Sequence, residues 1–190
     1  SEAITRVQAG VVMADFNAFF PTLLKHEGGF VDDPADPGGA TNKGIIMETF
    51  RSCARKYLGI DPTLENLKAL TDEQAGKIYK PLYWDKVHGD EIDVQELANI
   101  LFDFQVNAGA NGSMLLQRVL NDMGASPGLA VDGAIGSGTM KALKALDQKE
   151  VYRRYKQGRL DYYNDLVAER PALEKFLAGW INRVNSFPDL

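Results

Sequence analysis

Apolar residues recur along this chain at helical rather than strand spacing. Phe16, Phe19, Phe20, Leu23 and Leu24 fall at i, i+3, i+4, i+7 and i+8, one stripe of an amphipathic helix, and Gly28 and Gly29 stop it. Met47 to Leu58 reads as a second helix, closed by Gly59. Thr63 and Thr71 read as N-caps, and Gln74 completes a capping box for a helix running through Ile78 and Tyr79 toward Pro81. Leu97, Ile100, Leu101, Phe104 and Ala108 predict a helix from Val94 to Asn107 with Gly109 as its stop. Asn111 is then expected to cap a helix carrying Met114, Leu115, Val119 and Leu120, closed by Gly124. Beyond the turn-rich SPGLAVDGAIGSG, a helix is predicted from about Thr139 to Leu146. Another spans Lys149 to Glu169, with Tyr152, Tyr155, Leu160, Tyr163 and Leu166 inward and its Arg and Lys outward. Pro171 opens a last helix, expected to bury Leu173, Phe176, Leu177, Trp180, Ile181 and Val184. Strand-like alternation is short everywhere, at best a small hairpin between Gly29 and Ile46, so the fold class is mainly α.

Composition adds bounds. The 190 residues suffice for one sizeable domain or two small ones, and 45% hydrophobic with 25% charged residues is the balance of a soluble globular protein. Net charge is −5, unevenly spread: residues 1–105 hold 10 basic and 17 acidic side chains, residues 106–190 hold 11 and 9. The acidic first part argues against nucleic acid as a partner. Cys53 is the single cysteine, read as a small packing residue. The apolar run Ala9 to Ala14 is too short to span a bilayer, so no stable membrane insertion is expected. No secretory leader is evident, and MADFNAFFPTLLKHEGG reads as a natural start at Met13 with residues 1–12 an added or upstream segment.

Chemistry concentrates in HEGGFVDDPADPGGATNKGI, residues 26–45. At about 100° per residue, Glu27 lies about 20° from Phe16, inside the apolar stripe and in the last turn of its helix. The negative end of the helix dipole and the apolar neighbours both favour the neutral acid, which suits a general acid; the other reading is a Glu at a frayed helix end, swung to water or paired with a Lys or Arg. Asp32, Asp33 and Asp36 follow among Pro34, Pro37, Gly38 and Gly39, a turn-forming composition that places further carboxylates near the helix end. One protonated and one ionised carboxylate is the arrangement of glycoside hydrolysis, and the hydroxyl of Thr41 is placed to help position water. Competing chemistries find no set of groups. His26 and His88 are the only histidines and form no ligand motif, so no metal or other cofactor is expected. The aspartates do not follow the calcium-loop spacing, and neither a G-x-S-x-G elbow nor a phosphate-cradling glycine loop is present. Tyr79, Tyr83 and Trp84 read either as core or as the aromatic wall of a sugar cleft. Asn107 reads either as a donor to an acetamido group or as a cap for backbone groups.

This segment resembles the signature of glycoside hydrolase family 108, lysozyme-like N-acetylmuramidases that include proteins labelled secretion activators. The resemblance implies that Glu27 is the catalytic acid and that a lysozyme-like helical fold surrounds it. The order Glu, Asp, Thr is also similar to that of the T-even phage lysozyme: eight residues separate Glu27 from Asp36, as there, but four separate Asp36 from Thr41, one fewer. Asp36 is thus the candidate second carboxylate, with Asp33 its rival, and the similarity favours inversion at the anomeric carbon. A Tyr-and-Trp segment after the acidic loop and an Asp-x-x-Val-Asn-x-Gly stretch, here FDFQVNAG, also resemble the family, implying Tyr79, Trp84 and Asn107 as substrate-binding residues. LAVDGAIGSGTMKAL resembles a peptidoglycan-binding repeat through Asp132, Gly133, Gly136 and Thr139; the same residues also suit a tight turn and a helix start.

The expected organisation is a lysozyme-like catalytic region over 13–105 and a helical peptidoglycan-binding-like region over 106–190, packed as one body because their connection at Gly109 to Gly112 is short. Two functions follow from different classes: an N-acetylmuramidase, or a non-catalytic peptidoglycan-binding accessory of a secretion or phage apparatus. Both take glycan strands of peptidoglycan as partner. Lacking an evident leader, such a protein is expected to be made in the cytoplasm and to reach the wall through a holin or a secretion machine.

Overall fold

The computed structural model describes residues 7–8, 11–34 and 39–190. They form two compact units, Phe16–Asp85, and Lys86–Leu190 with the described part of Ser1–Asp15.

In the first unit, α1 (Phe16–Glu27) buries Phe16, Phe19, Phe20 and Leu23. Each contributes roughly 1.5–3 kcal/mol by leaving water. Phe16 stacks on Phe20 at 4.8 Å and meets Trp84 edge-on at 5.6 Å. Gly28, at φ 77°, ends the helix as expected. The chain returns in a hairpin, β3 (Thr41–Asn42) paired antiparallel with β4 (Ile45–Ile46), and Val31 bridges to Thr41. α2 (Met47–Cys53) continues in a widened π turn over Ala54–Leu58, closed by left-handed Gly59. α3 (Leu64–Lys68) is capped by Thr63, and α4 (Asp72–Tyr79) opens with the expected Thr71–Gln74 capping box. α4 then widens into a π turn over Lys80–Trp84. Pro81 has no N–H for the carbonyl four residues back, and the chain changes register there.

The second unit holds α5 (Gln95–Ala108), α6 (Ala110–Asp122), α7 (Ser137–Ala145), α8 (Gln148–Glu169) and α9 (Glu174–Asn185). It also holds an antiparallel pairing that the sequence pattern did not indicate, β1 (Val7–Gln8) with β2 (Val11–Val12). Asn111 does not cap α6. Gly109, at φ 62°, joins α5 to α6 directly, and the Asn111 side chain, already inside α6, donates to the Ala108 carbonyl at 3.0 Å. The aspartate and glycines of the VDG motif build a loop. Gln117, 1% exposed, donates to Asp132 Oδ1 and the Ala134 carbonyl at 3.0 Å each and accepts from Gly133 N at 2.9 Å. Asp132 Oδ1 also accepts from Ala134 N at 2.9 Å.

Two expectations about α8 and α9 are corrected. Arg159 does not face outward: it is fully buried, with Nη2 2.8 Å from a carboxylate oxygen of buried Asp103, and its guanidinium lies 4.8 Å from the Phe104 ring centroid. Arg183 binds the same carboxylate at 2.8 Å. The charge on Asp103 draws a cation into the core that helical periodicity alone sends to water. Of the six apolar residues expected inside the last helix, Leu173 precedes α9 in a 3₁₀ turn, only Val184 is fully buried, and Phe176 is 48% exposed. Among the described residues no helix is long and apolar enough to cross a membrane.

Candidate functional site

Glu27 is the final residue of α1, half-buried, and the turn between β3 and β4 is laid against it. Lys43 and Gly44 form that turn with φ 53° and 78°, the doubly left-handed arrangement of a type I′ hairpin. The turn is fixed from three sides. Buried Asn42 donates Nδ2 to the Leu67 and Lys68 carbonyls at 2.8 and 3.2 Å, Tyr79 Oη donates to the Lys43 carbonyl at 2.7 Å, and Lys43 Nζ pairs with Asp72 at 2.9 Å. This places Gly44 so close that a methyl group on it would stand 2.4 Å from Tyr79 Oη, 2.8 Å from Glu27 Oε2 and 3.0 Å from Glu27 Cβ. The missing side chain makes room for the carboxylate.

Gly44→Ala is therefore expected to cost about 1–3 kcal/mol through its left-handed φ and the contact with Tyr79, lowering the melting temperature by roughly 2–12 °C. It is also expected to push the Glu27 side chain out of place. A thermal melt and a crystal structure of the variant check both, and an unchanged Glu27 rotamer would count against the clamp.

The other expected site residues are placed unequally. Thr41 lies in β3, with its N–H and C=O both bonded to Val31 at 2.8 Å; strand alternation sets its side chain opposite that of buried Asn42. Asp33 is exposed on the loop after α1, and Asp36 lies outside the described residues. Tyr79 and Trp84 are 1% and 0% exposed and offer no ring face to a ligand. Their rings pack on Phe20 at 5.5 Å and Phe16 at 5.6 Å, so both act as core rather than as an aromatic wall. Asn107 lies in the second unit, where its Oδ1 accepts from the Tyr163 hydroxyl.

Tyr83 is the aromatic of this segment that remains half-buried, its ring 5.5 Å from that of Tyr79. Burial first, then the nearby Glu27 carboxylate, hold its hydroxyl above the ordinary tyrosine range. It thus stays a neutral hydrogen-bond donor within the field of the Glu27 carboxylate. Its i+4 spacing from Tyr79 was the signal in the sequence, since the two share a helix face.

Comparison with known proteins bears on this geometry. The model of the family described as Glycosyl hydrolase 108 matches residues 20–109, and that of the Predicted Peptidoglycan domain matches residues 111–185. These limits differ from those of the compact units, because residues 86–109 match the first family but pack with the second unit. Among curated proteins nothing matches the chain. A solved structure described as that of Brucella abortus SagA is similar, at 31% identity over 90% of each chain with a TM-score of 0.70. Within the family match stand Glu27, the Lys43–Gly44 turn that contacts it, and Tyr83. With its mainly α architecture and a small hairpin after the first helix, the chain belongs to the glycosyl hydrolase 108 family and carries a predicted peptidoglycan domain behind it.

Proposed function

We propose that the protein is an N-acetylmuramidase that cleaves the β-1,4 bond between N-acetylmuramic acid and N-acetylglucosamine. The observation that carries this reading is the fixing of Glu27 at the end of α1 by a hairpin turn whose glycine makes room for the carboxylate. In the proposed reaction, protonated Glu27 gives its proton to the glycosidic oxygen as the bond from that oxygen to the anomeric carbon breaks, so the leaving sugar departs as a neutral alcohol. A second carboxylate, Asp36 or Asp33, takes a proton from water as the water oxygen attacks the anomeric carbon from the opposite face. Thr41 helps hold that water, and the net result is inversion.

Digestion of purified peptidoglycan by the native chain tests the assignment. New reducing ends on muramic acid, released first as the α anomer by proton NMR, are the expected result. Reducing ends on glucosamine would replace the muramidase by a glucosaminidase. Sedimentation with the wall and no new reducing ends would leave the non-catalytic accessory, which the peptidoglycan-domain match also accommodates.

A further inference from the structure

The loop between α6 and α7 is pinned at three places, and one pin differs in kind from the other two. Asn121 of α6 holds its start, accepting from Leu129 N at 2.7 Å and donating to the Leu129 carbonyl at 2.9 Å. Gln117, one turn earlier in α6, holds its middle through Asp132, Gly133 and Ala134. Both pins are side-chain amides, which do not titrate. The third is half-buried His88, whose Nε2 lies 2.9 Å from the carbonyl oxygen of buried Ile135.

The neighbours of this ring set its protonation. Nδ1 lies 2.5 Å from Oε2 of Glu91, at the end of the 3₁₀ turn Gly89–Glu91. Hydrogen bonding from His88, acting against burial and helped by the charges of His88 and Lys144, holds the Glu91 carboxyl below the usual carboxylate range. Glu91 is therefore an ionised acceptor, and the Ile135 carbonyl is an acceptor too. A neutral imidazole has one N–H and sets a lone pair against one of these oxygens, whereas an imidazolium donates to both. The backbone adds to the constraint: His88 stands at φ 53° and ψ 42°, a left-handed conformation that costs a residue with a Cβ energy. The two ring bonds offset that strain.

Beside the ring lies an open cleft of about 410 Å3, lined by His88, Glu91, Ser137, Met140, Lys141 and Lys144. Its charged groups are Glu91, which favours the imidazolium, and two lysines of α7, which oppose it; Lys144 Nζ lies 3.5 Å from Glu91 Oε1. Lys86 and Asp90, each two positions from His88, bring one charge of each sign. Asp132, the carboxylate of the loop itself, is engaged by Gln117 and the Ala134 N–H, and Asp103 of α5 by Arg159 and Arg183.

We propose that His88 is a pH-dependent clasp: as an imidazolium it ties the Gly89–Glu91 turn to the loop that carries the VDG motif, and on losing its proton it releases Ile135. The clasp contributes while Glu91 is ionised and His88 protonated. Its contribution is lost as pH rises through the titration of the imidazole, and at the acid end as Glu91 takes up a proton below the usual carboxylate range. All of these residues belong to the second unit, so the clasp is independent of whether the chain cleaves peptidoglycan.

Amide hydrogen exchange of the full chain, corrected for the intrinsic pH dependence of exchange, reads the clasp. Protection of the Gly133 amide, which donates to Gln117 at 2.9 Å, should fall by about three- to tenfold between about pH 5.5 and about pH 8, the effect of one lost hydrogen bond from a partly exposed group. The Leu129 amide, held by Asn121, should keep its protection over the same interval. His88→Asn tolerates the left-handed backbone and does not titrate, so its Gly133 protection should not vary. In Glu91→Gln the fall should move to lower pH, because the carboxylate that favours the imidazolium is gone. Unchanged Gly133 protection in the native chain overturns the clasp, as does an equal fall at Leu129 or in His88→Asn. Ring 15N shifts of a neutral His88 imidazole at about pH 5.5 overturn it whatever the exchange shows.

Discussion

Glu27→Gln is expected to lower the rate of peptidoglycan cleavage by about 10²–10⁴-fold while leaving the melting temperature nearly unchanged, because the substitution removes a proton and little else. Gln has the volume of Glu and keeps two heteroatoms at the end of the side chain, so the contact with the Gly44 turn remains filled. A structural glutamate would behave in the opposite way. If Glu27 served only to support the hairpin, the amide would weaken the fold through its changed hydrogen bonding and leave the chemistry intact. The measurement is therefore double: initial rate from released reducing ends, and a thermal melt on the same preparation. A lost rate at constant melting temperature identifies the acid. A retained rate rejects Glu27 as proton donor whatever the melt shows. Asp33→Asn and Asp36→Asn, assayed alongside, separate the two candidates for the second carboxylate, since only the residue that activates water should approach the Glu27→Gln loss.

Much of this was legible because it is local. The period of Phe16, Phe19, Phe20 and Leu23 sets α1, the Thr71–Gln74 box starts α4, and glycines at 28, 59 and 109 take the left-handed conformations that end or join helices. Glu27 was legible for the same reason, as a carboxylate at a helix end followed by two glycines. The features that escaped depend on partners distant in sequence. Gly44 reads as a turn residue; only the fold brings Glu27 and Tyr79 to within a methyl group of it. The residues alone favour core for Tyr79 and Trp84 and the family resemblance favours the cleft; their packing on Phe20 and Phe16 places both rings in the core. The apolar period of α9 is genuine, but periodicity gives a direction and not the presence of a covering partner, so Phe176 remains half exposed. Arg159 is the clearest case. Its burial follows from a counter-charge 56 positions earlier in the sequence, at Asp103.

That counter-charge carries the second large effect. Asp103 is fully buried and accepts from two guanidiniums, Arg159 Nη2 and Arg183 Nη2, each at 2.8 Å, with Arg183 Nε a further donor at 3.0 Å. Asp103→Asn keeps the shape but leaves two cations facing each other with no anion between them, one of them wholly removed from water. Breaking a buried ion pair by removing one partner costs about 3–5 kcal/mol, since the charge left behind has lost its hydration and gained nothing in return. At about 2–4 °C per kcal/mol for a chain of this size, the melting temperature should fall by about 6–20 °C. Lost packing would give a similar figure, and a second variant distinguishes the causes. Replacing the triad together, Asp103→Leu with Arg159→Met and Arg183→Leu, removes all three charges, and a well-packed apolar substitute should recover most of the stability. If the triple variant melts as low as Asp103→Asn, shape rather than charge holds the site. If Asp103→Asn melts within about 2 °C of the native chain, the guanidiniums are hydrated in solution and the triad contributes no more than a surface pair. Arg159 also donates Nε and Nη2 to Tyr163 Oη at 3.3 Å each, and that hydroxyl donates to Asn107 Oδ1, which adds a local readout: with the anion gone, the orientation of the Asn107 amide should be lost before the fold is, visible as broadening of its side-chain NH2 resonances well below the melting temperature.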